Sequence, residues 1–271
     1  MTVFRLINTN GSYITKLDDW PKRKKMNQWV DGKSAKEFAR FWTETHSCGS
    51  VPSGYLELLE RDFPGIEFQR GRPECSTSLP PERSSGHRMH DLHLSGTWTS
   101  GSVTVCVEAK ADEPFSETIF QYVKKAKKEL KSNPRSDMKD RLGSLLDCVW
   151  GVNQPSDSLT ELRYQLLHAL VGTGIQALND AENPGKVACG TGVLVIHVFE
   201  TDRTKRGKLE RNRRDLENFI RALPNMVIPA KEIVPGCLYG PAKVLVPAEF
   251  APLGCPTVVN VFLGKLVTVL N

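Results

Sequence analysis

Two acidic residues and a lysine near the middle of the chain have the types and spacing needed to hold a cation beside a phosphate. Glu108 and Lys110 are separated by one residue at the end of the apolar segment VTVCVEAK, and Asp91 precedes that segment. Side chains alternate between the two faces of a strand, so Glu108 and Lys110 are predicted to share one face, while Val107 points to the other. A hairpin across residues 95–102 would bring Asp91 beside Glu108.

This arrangement predicts metal-dependent hydrolysis of a phosphodiester. Asp91 and Glu108, on adjacent strands, provide the oxygen ligands that Mg²⁺ prefers, with Mn²⁺ as a substitute, and the Ala109 carbonyl oxygen is a further ligand. A cation held there polarises a phosphate and lowers the pKa of a bound water. Lys110 then stabilises negative charge on the phosphoryl oxygens. In the alternative interpretation, Glu108 and Lys110 belong to an exposed hairpin and face water.

The surrounding sequence predicts an α/β fold that would hold these residues. Apolar residues at helical spacing predict helices at 35–45, 52–62, 114–131, 137–148, 159–178 and 208–223. Alternating or continuous apolar runs predict strands at 66–69, 88–94, 103–110, 192–199, 243–246, 258–263 and 266–270, with a loop at 72–86 and a hairpin turn at 262–266. This order predicts a mixed central sheet flanked by helices within residues 1–223, and a C-terminal β extension, residues 224–271, packed on that core.

The chain resembles the PD-(D/E)xK nuclease superfamily. Asp91, Glu108 and Lys110 have the hairpin-linked spacing of that motif, and a predicted helix follows them. The longer strings VEAKADEPF and LRYQLLHA are similar to a largely uncharacterised bacterial subgroup of restriction-type endonucleases. The resemblance covers roughly residues 30–200, with His90 in place of the proline that precedes the aspartate in the family motif.

The resemblance implies a restriction-endonuclease-like fold and an Mg²⁺-dependent endonuclease with a role in bacterial defence. Asp91 and Glu108 match the metal-binding acids, and Lys110 matches the catalytic lysine. Members of the superfamily often carry an extra acid on an early helix, and Glu57 or Glu60 would fill that place here.

Three polar residues on later helices are candidates for supporting roles. Gln121 loosely matches the polar residue that often lies on the helix after the lysine. Gln165 and His168 lie on the predicted helix 159–178, and Tyr164 and His168 are four residues apart on one side of it. These residues either surround the candidate site or form a helix edge with local hydrogen bonds.

Other residues that could take part in chemistry are predicted to have structural roles. His90 and His93 are predicted to point to opposite faces of a strand, which argues against a zinc site. Glu113 is interpreted as a cap of the helix that begins at Pro114, with a second metal site as the alternative. His197 lies in an apolar run and is expected to be a hydrogen-bonded core histidine. The seven cysteines include no C-x-x-C pair, which argues against a disulfide framework or a zinc ribbon.

The distribution of charge is compatible with a nucleic-acid partner. The chain of 271 residues has a formal net charge of +5, and its basic residues form several clusters. Lys124, Lys125 and Lys128 are predicted to contact phosphates, although a solvated helix face is the alternative for any one cluster.

We therefore expect an endonuclease that acts on nucleic acid, with DNA favoured and a homodimer compatible with cleavage of both strands. One alternative is a catalytically silent module for nucleic-acid binding or assembly. Another is an effector nuclease that a partner or ligand activates. The N-terminus lacks the long apolar stretch of a signal peptide, and no apolar run reaches about 18 residues. With its cysteine usage, this predicts a cytoplasmic protein without a membrane span.

Overall fold

Seven strands form one mixed sheet in the computed structural model, which describes residues 3–21, 29–45, 49–81, 86–181, 190–226, 228, 232–251 and 257–270. The strands are β1 (Arg5–Leu6), β2 (Glu67–Ser78), β3 (His87–Trp98), β4 (Gly101–Lys110), β5 (Thr191–Glu200), β6 (Leu238–Leu245) and β7 (Val258–Val269). Their order across the sheet is β1-β2-β3-β4-β5-β7-β6. Strands β4, β5 and β7 are parallel neighbours, β1 is parallel to β2, and the other pairs are antiparallel.

Helices cover both faces of this sheet. They are α1 (Ser34–Arg40), α2 (Ser53–Glu60), α3 (Ile119–Ser132), α4 (Met138–Trp150), α5 (Asp157–Thr160), α6 (Tyr164–Asp180) and α7 (Arg206–Ala222). The predicted α/β class, with a mixed sheet flanked by helices, is confirmed. Among the described residues, no helix has the length and apolar character required to cross a membrane.

The central strands are apolar on both faces because helices cover both sides. Val105 and Val107 of β4 pack into a core shared with α1 and α2, whereas Leu194 and Ile196 of β5 pack into a second core shared with α4, α6 and α7. The buried Glu108 and Lys110 lie on the same face as the second core.

The hairpin predicted across residues 95–102 is confirmed. Strands β3 and β4 are antiparallel, and their register runs from Leu92 opposite Val107 to Trp98 opposite Gly101. Gly101 has a φ of 146°, a conformation that residues with a side chain rarely adopt. The register brings Asp91 to the end of β4 that carries Glu108.

The predicted C-terminal β extension is part of the central sheet itself. Strand β7 pairs in parallel with β5, and β6 pairs with the outer side of β7. The predicted hairpin turn at 262–266 is wrong, since β7 continues through Gly264. A Cβ at Gly264 would lie 2.8 Å from Leu238 and 3.0 Å from Leu58, so this glycine permits close packing and makes no turn.

Strand β2 extends through much of the predicted loop at 72–86. It pairs with β3 from Glu67 to Ser78. Pro73 is tolerated in it because the pairing with β1 involves only Arg70 and Gly71, and the missing N–H is not required on that outer side. Residues 82–85 of the predicted loop lie outside the described residues.

Two helix boundaries differ from the prediction for one reason. The helix predicted at 114–131 begins only at Ile119, and the helix predicted at 159–178 is divided into α5 and α6. The Ile119 amide donates to the Leu162 carbonyl at 2.8 Å, and the Tyr164 amide donates to the Glu117 carbonyl at 3.1 Å. These long-range backbone bonds use groups that a continuous helix would need.

His197 is a hydrogen-bonded core histidine, as predicted. Its Nδ1 lies 2.9 Å from the Tyr55 hydroxyl, and its Nε2 lies 2.8 Å from the Thr268 hydroxyl. The ring therefore links α2, β5 and β7 within the core that contains α1 and α2.

A buried polar cluster fastens the C-terminal end of α6 to the sheet. Asp180 Oδ2 lies 2.6 Å from His93 Nε2 and accepts a 2.6 Å hydrogen bond from the Thr104 hydroxyl. Burial lowers the pKa of His93, but the hydrogen bonds and charges of Asp180 and Cys75 together outweigh it and raise the pKa to about 9. His93 is therefore charged at neutral pH and forms an ion pair with Asp180.

This ion pair predicts a loss of stability in mildly alkaline solution. The pKa of His93 is about 9 in the folded chain, against a reference value of 6.5. Its contribution, about 3 kcal/mol, should be complete below pH 6.5 and lost as the pH rises through about 9. We expect the urea-derived free energy of unfolding to fall across this range, and to fall less in His93→Gln. Equal pH dependence in the two proteins would contradict the charged pair.

Candidate functional site

The three residues of the predicted centre are buried at one end of adjacent strands. Asp91 comes from β3, and Glu108 and Lys110 come from the end of β4, with exposed fractions of 7%, 4% and 5%. Lys110 Nζ lies 2.7 Å from Glu108 Oε1, so these two side chains share a face as predicted. The alternative of an exposed hairpin is wrong.

Asp91 is held by the backbone of β4. Its Oδ2 accepts a 2.8 Å hydrogen bond from the Ala109 amide. The regular pairing of β3 with β4 ends at Leu92 and Val107, next to Asp91. Beyond that pair, the Asp91 carboxylate replaces a β3 carbonyl as the acceptor for the β4 amide. This contact puts the Asp91 carboxylate at the amide of the residue between Glu108 and Lys110.

Glu108 accepts hydrogen bonds from three different elements. Arg88 of β3 binds Oε2, whereas Lys110 of β4 and Gln165 of α6 both bind Oε1. Burial raises the pKa of Glu108, but the charges of Arg88 and Lys110 lower it by more, to about 2. The carboxylate is therefore ionised at neutral pH and has two cationic partners.

Arg88 is a site residue that sequence reasoning missed. It is buried and forms an ion pair with Glu108. The sequence did contain a relevant observation, since Arg88 lies inside a predicted strand. An arginine buried in a strand needs a carboxylate nearby. The sequence does not indicate which carboxylate, because the pairing depends on the course of β3 ahead of Asp91.

Two uncharged histidines adjoin this ion-pair cluster. Burial, and then the charge of Arg88, lowers the pKa of His168 to about 3 and that of His90 well below its usual range. Neither ring nitrogen of His90 has a hydrogen-bond partner among the described residues. Both rings therefore add polar groups to the site without adding positive charge.

The prediction that His90 and His93 point to opposite faces is wrong. His93 binds Asp180 of α6, and the His90 ring lies 3.3 Å from the position of a Cβ at Gly172, also in α6. The alternation of β3 changes around Asp91, where its side chain replaces a backbone acceptor. In the part of the chain that the structure describes, no group of three or more His, Cys, Asp or Glu side chains is placed to hold a metal ion.

Of the predicted supporting residues, Gln165 and His168 lie at the site. Gln165 donates to Glu108 and accepts a 3.1 Å hydrogen bond from the Ser116 amide, so it links α6, β4 and the segment before α3. The His168 ring is tilted by 31° against the Tyr164 ring, with centroids 5.4 Å apart, and Glu108 and Arg88 are close enough to influence its pKa. Their interpretation as a local helix edge does not account for the contact with Glu108.

The structure does not bring Glu57, Glu60 or Gln121 to Glu108. Glu57 is exposed on α2, which packs against the opposite face of the sheet. Glu60 Oε1 accepts a hydrogen bond from the Gly65 amide at 2.9 Å. Gln121 forms a capping box with Thr118, in which Gln121 Oε1 accepts from the Thr118 amide at 2.9 Å.

Glu113 caps a different helix from the one predicted. Its Oε1 accepts hydrogen bonds from the amide and hydroxyl of Ser34, the first residue of α1. The predicted role at the helix after Pro114 is wrong because that helix begins later, with Thr118 as its N-cap.

The predicted phosphate-binding lysines lie on the exposed side of α3. Lys124 Nζ lies 4.2 Å from the centroid of the Phe120 ring, and Lys125 forms a 3.1 Å ion pair with Glu117. Lys128 is exposed on the same helix. These contacts fit either a solvated helix face or a surface that meets phosphates.

The oxygen atoms at the site are of the type that binds a hard cation. Asp91 and Glu108 provide carboxylate oxygens, and Ala109 provides a carbonyl oxygen, which are ligands of the Mg²⁺ type. Both Glu108 oxygens already accept hydrogen bonds, so a cation bound there would compete with Arg88 and Lys110 for the carboxylate.

The Arg88–Glu108 pair predicts a large loss of stability when the arginine is removed. We expect Arg88→Met to lower the free energy of unfolding by about 3 kcal/mol, because Glu108 stays buried with less compensation. Urea denaturation should show at least half of this loss recovered in the Arg88→Met, Glu108→Gln double variant. Arg72→Met, the same change at an exposed position of β2, is the matched control. No recovery in the double variant would contradict the pairing.

Comparison with known proteins identifies the family of the chain but indicates no activity. Neither the curated proteins nor the solved structures give a significant match. Residues 13–245 match the family described as a domain of unknown function, DUF6946, and the chain belongs to that family.

Proposed function

We propose that this protein is a metal-dependent nuclease that hydrolyses phosphodiester bonds in nucleic acid, acting as a DNA endonuclease. The observation that carries the proposal is the buried group of Asp91, Glu108 and Lys110 at the ends of two adjacent strands. Burying such charges is costly, and a function at that position accounts for the cost better than stability does. The resemblance to the PD-(D/E)xK superfamily adds nucleic acid as the substrate class and bacterial defence as the setting, and DNA is the substrate that we favour.

Asp91, Glu108 and the Ala109 carbonyl are the groups that would hold the cation, Mg²⁺ or Mn²⁺. Such a cation supplies charge for the phosphate and lowers the pKa of water, which provides the nucleophile. Asp91 is oriented for this role by the Ala109 amide, and Glu108 is kept ionised by its cationic neighbours.

Lys110 is placed to stabilise the charge that develops on the phosphate. Its ammonium lies beside Glu108 and 5.4 Å from the centroid of the Phe115 ring, in a buried environment where electrostatic interactions are strong. Gln165 holds the Glu108 carboxylate from the side of α6. Gln165 and His168 are less buried than the three central residues and lie where α6 begins, so the start of α6 is the approach that we propose for the substrate.

Substitution of the central residues tests the activity. With supercoiled plasmid DNA, single-stranded DNA and RNA as substrates, we expect cleavage in Mg²⁺ or Mn²⁺ and none in EDTA. Asp91→Asn, Glu108→Gln and Lys110→Met should each reduce the rate by at least about 100-fold, because the first two remove a charge that would hold the cation and the third removes the charge that would stabilise the phosphate.

Exposed residues outside the site provide matched controls. Glu67→Gln and Lys243→Met make the same chemical changes on the surface and should cleave at the wild-type rate. Circular dichroism must show that each central variant is folded. Cleavage that persists in all three folded central variants would refute this site.

The α3 lysines are the proposed contact for substrate phosphates. The start of α3 is bonded to the start of α6 through residues 117–119 and 162–164, so α3 adjoins the proposed approach at the start of α6. Changing Lys124, Lys125 and Lys128 to Gln should raise KM, leave kcat unchanged and reduce the salt dependence of binding, since fewer counterions are released. Lys16→Gln with Lys139→Gln and Lys243→Gln, at exposed positions outside α3, is the control triple variant. An unchanged salt dependence would indicate that the α3 lysines are only a solvated face.

A second candidate function is nucleic-acid binding without turnover. The observation that favours it is the ion pair of Arg88 with Glu108, since that carboxylate already has two cationic partners. Metal binding discriminates the two functions. Calorimetric titration with Mn²⁺ should give heat in the wild type and not in Glu108→Gln if the protein is a nuclease.

Two other outcomes would support the alternatives. Tight binding of DNA with no metal effect and no cleavage would support the silent module. Cleavage only after addition of cell extract would support an activated effector.

A further inference from the structure

A cleft of about 240 Å³ lies between α7 and the sheet, next to the candidate nuclease site. Its floor is apolar and is formed by Phe115, Ile196, Val198 and Leu216, all of which are buried. Strands β4, β5 and β7 put Glu108, Ile196 and Lys265 in one row on the same face. Lys265 therefore lies two strands, or roughly 10 Å, from Glu108.

Asn212 lines this cleft and has a buried side-chain acceptor. Its side chain is 4% exposed and lines the cleft, and its Nδ2 donates to the Glu113 carbonyl at 3.0 Å. Its Oδ1 has no hydrogen-bond partner among the described residues. An unpartnered buried oxygen costs free energy, so a ligand with an N–H or O–H group would gain by binding there.

Lys265 presents a cation to the same cleft. Among the described residues, no carboxylate forms an ion pair with its ammonium, and burial lowers its pKa. Arg206 adds a second cation at the exposed edge. The acidic residue Glu210 is neutralised by Arg213 at 2.7 Å, whereas Glu200 remains as a carboxylate acceptor.

We propose that this cleft binds a nucleoside monophosphate. The apolar floor suits the flat base, Asn212 Oδ1 accepts from a base N–H, Glu200 accepts from a sugar hydroxyl, and Lys265 and Arg206 bind the phosphate. The same unit occurs as a free nucleotide and within a nucleic-acid strand. The proposal does not depend on the nuclease activity proposed above.

Binding is tested by calorimetry on the full chain in EDTA, where cleavage does not contribute. The four ribonucleoside 5′-monophosphates, their nucleosides, inorganic phosphate and a single-stranded hexanucleotide are the probes. We expect at least one monophosphate to bind, with Kd raised by about tenfold or more in Lys265→Gln, because a charge-assisted bond is lost. Asn212→Leu should weaken the nucleotide and leave the binding of inorganic phosphate unchanged.

Arg214→Gln, the same loss of charge at an exposed position of α7, is the control and should bind as the wild type does. Binding of the monophosphates but not the hexanucleotide identifies the free nucleotide as the ligand, and the reverse identifies the strand. Two results would overturn the proposal: no binding of any nucleotide or oligonucleotide at millimolar concentration, or equal affinity in wild type and folded Lys265→Gln. Glu108→Gln should retain nucleotide binding, so failure of this site and failure of the nuclease site remain distinguishable.

Discussion

The negative charge of Glu108 inside the sheet is the constraint on which much of the surrounding structure depends. A buried carboxylate without partners costs several kcal/mol, so donors must reach it from the elements around it. Arg88 comes from β3, Lys110 from β4 and Gln165 from α6. These contacts hold α6 close to the sheet. This close approach requires a glycine at position 172 of α6, because a Cβ there would lie only 2.9 Å from Arg88 and 3.3 Å from His90.

Helix α6 is attached to the sheet by two buried polar clusters of different character. Near its N-terminal end, Glu108 has two cationic partners and the adjacent histidines are uncharged. At its C-terminal end, Asp180 pairs with His93, and this pairing favours the charged form of the histidine. Burial disfavours the charged form of both histidines, and the neighbouring groups decide the outcome. Arg88 adds to the effect of burial and lowers the pKa of His168 further, whereas Asp180 and Cys75 outweigh burial and raise the pKa of His93.

The parts of the site that could be predicted from sequence are those governed by short-range geometry. The alternation of a strand put Glu108 and Lys110 on one face, and the hairpin brought Asp91 to the end of β4. Arg88 could not be assigned to Glu108, because the alternation of β3 changes at Asp91, where a side chain replaces a backbone acceptor. The break between α5 and α6 and the uninterrupted course of β7 were missed for a similar reason. Each depends on residues far along the chain, the backbone of 117–119 in one case and Leu58 with Leu238 in the other.

The charge balance of the site limits how a phosphodiester could enter it. With both acids ionised, Asp91 and Glu108 balance the charges of Arg88 and Lys110, so the four residues have no net charge to attract an anion. Arg88 and Lys110 can turn to a phosphate only if Glu108 gains another positive partner, since the buried carboxylate cannot remain uncompensated. Under the proposed function, entry of the phosphate and of the cation must therefore be coupled. The free energy of the existing ion pairs sets how strongly each depends on the other.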